Sequence, residues 1–436
     1  MSDHDERSGP PTGEPDHTAV AEAEREAEQA ELEAVAERER MAASATLDAS
    51  VSQRLVKAVT GTSVITTLLA IFSALVVGAV VIVLSDDATR DAMGYFAARP
   101  TDTLAAAWDA VGSAYGALLR GSLGGVGQVS ETLVAATPLI LTGLAVAIPL
   151  RAGLFNIGAE GQLIAGGLTA ALVGFALTGL PLPIHLPLAV LGGVVGGFLY
   201  GWLPGVLKAR TGAHEVITTI MLNNVAILGT NFLLTTALFR RPDRTDPISR
   251  SVEEPARLPR LPFIDGQRVN WGLVLAIVVA IAMFWFLERS TRGFEINAVG
   301  QNPHAATSAG MNPGRVVILA MALGGALAGT GGAAEILGIH HRITPGFSAG
   351  LGFDGITVAL LGRGGVGGTV AAGLLFGALR AGGRTMQATT GTSLDLVVVI
   401  QALIIVFIAA PGLVRAIYRI KTADTGTGQI AKGWGS

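Results

Sequence analysis

The stretch RAGLFNIGAEGQ, residues 151–162, places polar side chains between long apolar runs. It contains one carboxylate, Glu160, two amides, Asn156 and Gln162, and three glycines. Polar groups at membrane depth are costly, so they must find partners in protein or in a water-filled cavity. The stretch therefore predicts an interrupted helix whose polar groups either tie neighbouring helices together or contact a solute.

The composition of the whole chain predicts a polytopic, all-α membrane protein. Half of its 436 residues are hydrophobic and only 14% are charged, and its mean hydropathy is +0.54. A soluble globular protein is less apolar than this. The 58 glycines fit closely packed membrane helices. Cysteine is absent, which excludes disulfides, thiolate metal sites and cysteine nucleophiles.

The charges are distributed unevenly between the N-terminus and the rest of the chain. Residues 1–50 carry 14 Asp and Glu against 4 Arg, whereas the remaining 386 residues carry 19 acidic and 26 basic groups. We interpret 1–50 as an acidic cytoplasmic tail, disordered to helical, without a signal peptide. The basic excess of the body fits cytoplasmic loops and gives no indication of nucleic acid binding. Residues 421–436 are predicted as a cytoplasmic C-terminal tail.

Apolar runs long enough to cross a bilayer predict about ten transmembrane helices within a permease domain at 51–420. The amphipathic stretch 104–119 is too polar for a span, and we place it on the outer surface. Loop 240–268 contains seven arginines, and only the alternation of spans places it outside. The predicted spans are 62–84, 133–150, 151–178, 188–207, 214–239, 271–287, 316–337, 347–362, 369–381 and 396–410.

Small residues recur at helical spacing in two of these spans. Gly193, Gly197, Gly201 and Gly205 stand four residues apart, which places them on one helix face. Such a face lets another helix approach closely. We therefore expect this seam to pack against another helix, and the span at 316–337 repeats the pattern.

A second polar segment, around 353–361, follows an irregular tract at 340–354. Interrupted helices in each half would then build a central site, as transporters often do. Each polar residue could contact the solute or serve a structural or gating role. The candidates for the translocation pathway or its gating are Phe155, Asn156, Glu160, Gln162, Asn223, Asn224, Phe353 and Asp354.

The sequence predicts a polar loop at residues 298–312 that contains a short helix. Pro303 directly follows Asn302 and suits the first turn of a helix. A short helix in a cytoplasmic loop is a natural docking element for another protein. The chain has no loop of the form G-x-x-x-x-G-K-[ST] for nucleotide phosphates, so any ATP must be used elsewhere.

No enzyme chemistry is predicted for this chain. His340 and His341 lack a third ligand at metal-binding spacing, so we predict no metal site and no cofactor. The pair His214 and Glu215 is more typical of a helix start than of a proton relay. No constellation of nucleophile, base and oxyanion donors is evident in the sequence.

Four ordered motifs resemble the permease subunits of bacterial nucleoside ABC importers, within a group that includes ribose and branched-chain amino acid permeases. The resemblance covers about residues 130–415. The motifs are GLFNIGAEGQ (153–162), VITTIMLN (216–223), AVGQNPHAA (298–306) with AGMN (309–312), and FDGITVALLG (353–362).

The resemblance implies a complex in a bacterial plasma membrane. Its other parts are a second permease subunit, usually non-identical, a separate ABC ATPase subunit, and an extracytoplasmic substrate-binding lipoprotein. Both termini of this multi-pass subunit are expected in the cytoplasm, with membrane lipid around its helices. The family's coupling loop to the ATPase matches Gly300, Asn302, Pro303, Ala305, Ala306 and Gly310.

Three other functions remain open from the sequence. A simple sugar or another small polar solute could replace the nucleoside. A proton-coupled secondary transporter could use Glu160 and Asp354 as proton carriers, although it would need no docking loop. A membrane scaffold without transport would leave both polar segments without a purpose.

Overall fold

The computed structural model describes residues 62–262 and 266–419, which are helical with irregular connections and contain no β-strand. Eight helices there are long and apolar enough to cross a membrane, and two shorter apolar helices accompany them. The prediction of a polytopic all-α membrane protein is confirmed. The predicted tails at 1–50 and 421–436 lie outside the described residues.

The helices are numbered here in chain order. The chain divides within α1, after Leu68, into two units, and every contact given below lies in the second unit. A π-helical turn, Ile336–His340, continues α11. The bounds are α1 Thr62–Ser85, α2 Asp87–Met93, α3 Pro100–Leu123, α4 Val126–Arg151, α5 Ala159–Ala176, α6 Leu182–Thr211, α7 Glu215–Leu233, α8 Trp271–Arg289, α9 Thr291–Gln301, α10 Pro303–Ser308, α11 Pro313–Glu335, α12 Leu351–Leu361, α13 Val366–Thr390, α14 Leu394–Ala409 and α15 Pro411–Ile417.

Three predicted boundaries are wrong. Helix α7 ends at Leu233 rather than near 239, because the chain turns there through backbone bonds at Thr235 and Thr236. Helix α13 continues past 381 to Thr390, and its arginines Arg380 and Arg384 have the carboxylate partners Asp354 and Glu131. The segment 353–361 is helical, and the irregular stretch of the second half precedes it at 341–350.

Helix α12 is too short to cross a bilayer alone. Its 11 residues span about 16 Å at the α-helical rise, roughly half the apolar thickness of a bilayer. The irregular residues 341–350 come before it, and the turn 362–365 joins it to α13. In the first half, the irregular residues are 152–158, between the full-length helices α4 and α5.

The stretch predicted as amphipathic lies within α3, which is not among the eight long apolar helices. Small residues bring it against α13, because a Cβ on Gly382 would lie 2.2 Å from the Leu118 carbonyl oxygen. The Tyr115 hydroxyl donates to the Leu75 carbonyl of α1 at 2.6 Å. Helix α3 is therefore packed into the helical assembly by one face.

The predicted glycine seam is confirmed as the contact between α6 and α11. A Cβ on Gly197 would lie 2.2 Å from the Gly325 carbonyl oxygen, and one on Gly201 would lie 2.8 Å from the Gly325 Cα. The two backbones therefore touch, since real side chains do not fit at these distances. Gly329 joins the same contact beside Gly193.

The two ends of α4 identify the two ends of the helical assembly. At the C-terminal end, Arg151 donates to the Gly364 carbonyl at 2.9 Å and to Glu288 at 3.1 Å. At the N-terminal end, Glu131 pairs with Arg268 of the long loop at 3.2 Å. We call these the Arg151 end and the Glu131 end. As the alternation of spans predicted, loop 240–268 and loop 298–312 lie at opposite ends.

Candidate translocation site

Asn156 closes a buried hydrogen-bond network in the connection between α4 and α5. Its Nδ2 donates to the Ala145 carbonyl at 3.2 Å and to Gln162 Oε1 at 3.0 Å. Its Oδ1 accepts from Gly158 N at 3.1 Å and from Gln162 Nε2 at 3.2 Å. Gly153, with a φ of 75°, supplies the left-handed turn after α4. These amides therefore satisfy one another and fix the entry into α5.

Asn223 ties α7 to the same connection. Its Oδ1 accepts from Gly161 N at 2.8 Å, and its Nδ2 donates to the Ile157 carbonyl at 2.9 Å. The neighbouring Asn224 is exposed and donates only within its own helix, to the Ile220 carbonyl at 3.3 Å. Two adjacent amides of the same motif thus have different surroundings.

We expect Asn223→Ala to destabilise the protein by about 2 to 3 kcal/mol, because it leaves a buried donor and a buried acceptor without partners. Asn224→Ala is the matched control and should change stability by no more than about 0.5 kcal/mol, as exposed substitutions do. Thermal unfolding of the purified variants in the same detergent measures both. Equal midpoints for the two variants would contradict the role given to Asn223.

Glu160 connects the opening stretch to α12. Its side chain is 3% exposed, and its Oε2 accepts from Gly352 N at 2.7 Å. The two backbones nearly touch, because a Cβ on Gly352 would lie 2.2 Å from Glu160 N. The two polar segments predicted from the sequence therefore meet at this point.

Two cavities flank the residues that precede α12. The smaller has a volume of about 350 Å³ and is lined by Glu160, Phe353 and Asn231, among others. The larger has a volume of about 800 Å³ and is lined by Asp354 and by residues of α4, α13 and α14. Gly346, Phe347 and Ala349 line both. The segment 345–350 is thus a thin wall between the two cavities.

The charged groups of the larger cavity form pairs. Asp354 lies 2.5 Å from Arg380, and Glu335 lies 3.2 Å from His340. Two further lining arginines, Arg268 and Arg384, approach Glu131 at 3.2 Å and 3.7 Å. Positive and negative groups are therefore interspersed around this space.

Arg380 and Arg384 were missed in the sequence analysis. They stand four residues apart within the Gly- and Ala-rich sequence of α13. Charged side chains within an apolar helix are rare and commonly line a pathway, so this spacing was a usable signal. The predicted end of that span at 381 placed Arg384 outside the membrane and hid the pattern.

The predicted pathway residues separate into three groups. Glu160 and Phe353, which is 45% exposed, line the smaller cavity, and Asp354 lines the larger one. Buried Asn156, Gln162 and Asn223 line neither cavity. Partly buried Phe155 and exposed Asn224 also lie apart from both.

Some of the predicted coupling residues pack against the other helices, and the rest are exposed. Gly300 packs on the α4 terminus, because a Cβ there would lie 1.9 Å from the Arg151 carbonyl oxygen. Ala306 is buried in a small cluster with Ala152 and Leu154. The residues that are exposed are Asn302, Pro303, Ala305 and Gly310.

Asn302 determines where α10 begins. Its Oδ1 accepts from His304 N at 3.1 Å and from Ala305 N at 3.0 Å, and Pro303 occupies the first helical position. An asparagine cap followed by proline is a strong start signal for a helix. The short helix expected in this loop from the sequence is therefore present in the structure.

A family model described as branched-chain amino acid transport system / permease component matches residues 128–409. The chain belongs to this permease family. The match spans α4 to α14 and includes both polar segments, the glycine seam and the loop with α9 and α10. The match thus covers the helices from α4 to α14, and the predicted resemblance is confirmed.

Three curated permeases are similar to this chain. The guanosine ABC transporter permease protein NupP of Bacillus subtilis is 42% identical over 70% of this chain and 87% of its own length. The glucose ABC transporter permease protein TsgB13 of Haloferax volcanii is 37% identical over 68% and 79%. The nucleoside ABC transporter permease protein NupB of Lactococcus lactis is 35% identical over 69% and 84%. No solved structure matches the chain.

Proposed function

We propose that this permease is one half of a two-permease pathway that imports nucleosides, driven by a separate ABC ATPase that docks on α9 and α10. An extracytoplasmic lipoprotein would deliver the solute at the Glu131 end. The Arg151 end and both termini would then face the cytoplasm of a bacterial cell. The chain itself is proposed to carry the translocation path and no ATPase activity.

The observation that carries this proposal is a continuous set of contacts from the loop to the cavities. Gly300 of α9 rests on the Arg151 carbonyl. The chain then continues through the Asn156 network to Glu160, which holds Gly352 at the start of α12. Close-packed segments transmit displacement because they cannot deform continuously. A displacement of α10 would therefore also move the residues that line both cavities.

The charge pattern of the larger cavity supports an uncharged polar solute. Its two carboxylates, Asp354 and Glu335, each have a basic partner, and Arg268 and Arg384 share Glu131, which does not line the cavity. A charged solute would therefore have to compete with one of these partners. Carboxylate, guanidinium and amide groups can hydrogen-bond to sugar hydroxyls and base edges. Phe347 adds an aromatic wall to both cavities. Two of the three relatives named above carry nucleosides or guanosine in their names.

A simple sugar is the second candidate solute. The permease named for glucose is 37% identical to this chain, close to the values for the nucleoside permeases. A sugar also fits a cavity lined by paired charged groups and other hydrogen-bonding groups. Competition between guanosine and glucose for uptake distinguishes the two candidates directly.

We expect labelled guanosine to enter cells that contain the whole assembly, and not cells that contain this chain alone. Ala305→Glu should reduce that uptake at least tenfold, because Ala305 is exposed on α10 where the ATPase would dock. Thr245→Glu, an exposed change in the loop at the Glu131 end, is the control and should leave uptake unchanged. Gly300 and Ala306 are unsuitable, because changing them would disturb packing.

Three outcomes would contradict parts of this proposal. Uptake by the chain alone that collapses with the proton gradient would indicate a secondary transporter that uses Glu160 or Asp354. Uptake of glucose that guanosine does not inhibit would indicate that the solute is a sugar and not a nucleoside. If the Ala305→Glu complex reaches the membrane and its uptake is normal, the ATPase does not dock on α10.

A further inference from the structure

A third cavity, of about 450 Å³, lies at the Glu131 end, apart from the network around Asn156. It is enclosed by residues 254–260 of the long loop, by the end of the π-helical turn and by the start of α6. Its charged and titratable lining residues are Arg257, Arg260, Arg268, His341 and Glu254. Basic side chains thus outnumber acidic ones around this cavity.

The positive charge of this cavity is only partly neutralised within the described residues. Arg268 pairs with Glu131, whereas Arg257 donates Nε and Nη2 to the Val252 carbonyl at 3.1 Å and 3.0 Å and has no carboxylate partner there. Arg260 is exposed and has no ion pair among those residues. Two guanidinium groups therefore face one space, and Glu254 is the one carboxylate among the described residues that line it.

His341 adds an unused polar atom to this space. Its Nδ1 is buried and finds no hydrogen-bond partner among the described residues. The residue itself has a φ of 55°, a left-handed conformation that is uncommon outside glycine. Burial, with the charge of Arg257 nearby, holds the pKa of His341 below its usual value. A buried ring nitrogen without a partner is costly, and a bound ligand would satisfy it.

The walls of the cavity are mixed in character. Leu182, Leu258 and Ile339 contribute apolar surface next to the arginines. Trp271 begins α8 close to this loop and is 46% exposed, as expected for an aromatic residue at a membrane–water boundary. Arginine pairs recognise phosphate well, because the planar guanidinium donates two parallel hydrogen bonds.

We propose that this cavity binds a phosphate-class anion through Arg257 and Arg260, beside His341. The anion is either the headgroup of an anionic lipid, with its chains along Leu182, or a free phosphate group. Such a ligand also explains why a loop with seven arginines is tolerated at the end opposite the docking loop, where basic residues are normally sparse. This cavity shares Arg268 and Ile339 with the larger cavity, whereas Arg257, Arg260 and His341 line this cavity and not the larger one. Anion binding here does not depend on which solute the permease carries.

The test uses the full chain in nanodiscs and the variant Arg260→Gln. The Arg260 side chain has no hydrogen bond or ion pair within residues 62–262 and 266–419, so this variant should fold normally. Arg244→Gln is the matched control, because it removes one charge from the same loop at an exposed residue that pairs with Asp246 and does not line the cavity. Inorganic phosphate is titrated by calorimetry in phosphatidylcholine discs, and lipid retention is measured by native mass spectrometry from discs that contain phosphatidylglycerol.

We expect Arg260→Gln to weaken binding about tenfold, the loss typical of one charge-assisted contact, while Arg244→Gln binds within twofold of the parent. A loss in the phosphate titration identifies a free phosphate group as the ligand. A loss confined to retained phosphatidylglycerol identifies a lipid headgroup. Binding that is absent, or equally strong in parent and Arg260→Gln, overturns the proposal.

Discussion

Gly352→Ala should destabilise the protein by about 3 kcal/mol, near the upper end for overpacking of a tight contact, and abolish solute uptake. The added Cβ would lie 2.2 Å from Glu160 N and 2.3 Å from Glu160 Cα. The obstacle is backbone, so no side chain can rotate away to relieve it. Helix α12 must therefore move away from α5, which also breaks the Glu160–Gly352 hydrogen bond. Thermal unfolding and uptake of labelled guanosine measure the two effects.

Gly367→Ala is the matched control for this substitution. Gly352 and Gly367 each occupy the second position of a helix, α12 and α13, but a Cβ on Gly367 meets nothing within 4 Å. Its unfolding midpoint should stay within experimental error of the parent's. If Gly352→Ala unfolds at the parent's temperature and transports normally, the contact between the two polar segments is not needed for transport.

The variant Glu160→Gln distinguishes two roles of Glu160, accepting the hydrogen bond from Gly352 and carrying a charge or proton. Glutamine keeps an acceptor oxygen for Gly352 N but cannot carry a proton. Retained uptake in Glu160→Gln together with loss in Gly352→Ala fits a structural link between α5 and α12. Loss of uptake in both, with Glu160→Gln still folded, would favour a proton-carrying role for Glu160.

Gly329→Leu should prevent the protein from accumulating in a folded form. Three helices meet at this residue. A Cβ there would lie 2.3 Å from the Gly193 carbonyl oxygen and 2.8 Å from the Gly197 Cα of α6, and a Cβ on Gly166 of α5 would lie 2.2 Å from the Gly329 Cα. A leucine side chain must therefore separate α11 from α6, at a cost above the usual 1 to 3 kcal/mol or so of overpacking.

The measurement for Gly329→Leu is the yield of monodisperse protein after extraction in mild detergent. Gly229→Leu provides the control, since Gly229 lies within the membrane helix α7 and a Cβ there meets nothing within 4 Å. The control should be recovered at the parent's yield. Equal recovery of the two variants would show that the α6–α11 seam tolerates separation.

Sequence patterns predicted a feature correctly where that feature depends on a single segment of the chain. The apolar runs predicted the long helices, because each membrane helix satisfies its own backbone hydrogen bonds. The four-residue glycine spacing at 193–205 predicted a close helix contact, since the period of a helix places these residues on one face. Asn302 and Pro303 predicted the start of α10, because a cap acts on the residues that follow it.

Patterns failed where a residue's partner lies far away in the chain. Arg380 and Arg384 of α13 pair with Asp354 and Glu131, and no local pattern in α13 reveals these partners. Asn223 and Asn224 are the same residue type in one motif, yet only Asn223 reaches Gly161 and Ile157. The rotation of α7 against its neighbours decides which of the two is buried.

The sequence by itself determined the class of the protein, most of its long helices, the glycine seam and the start of α10, because these depend on composition, helical period and local capping. Its four ordered motifs indicated the permease family. Only the tertiary structure decided that Glu160 holds Gly352, that the amide network around Asn156 is internally satisfied, and that arginines of α13 and the long loop line cavities. These features depend on contacts between residues far apart in the chain, such as 160 with 352 and 131 with 384. Long-range packing selects such contacts, and no local pattern encodes them.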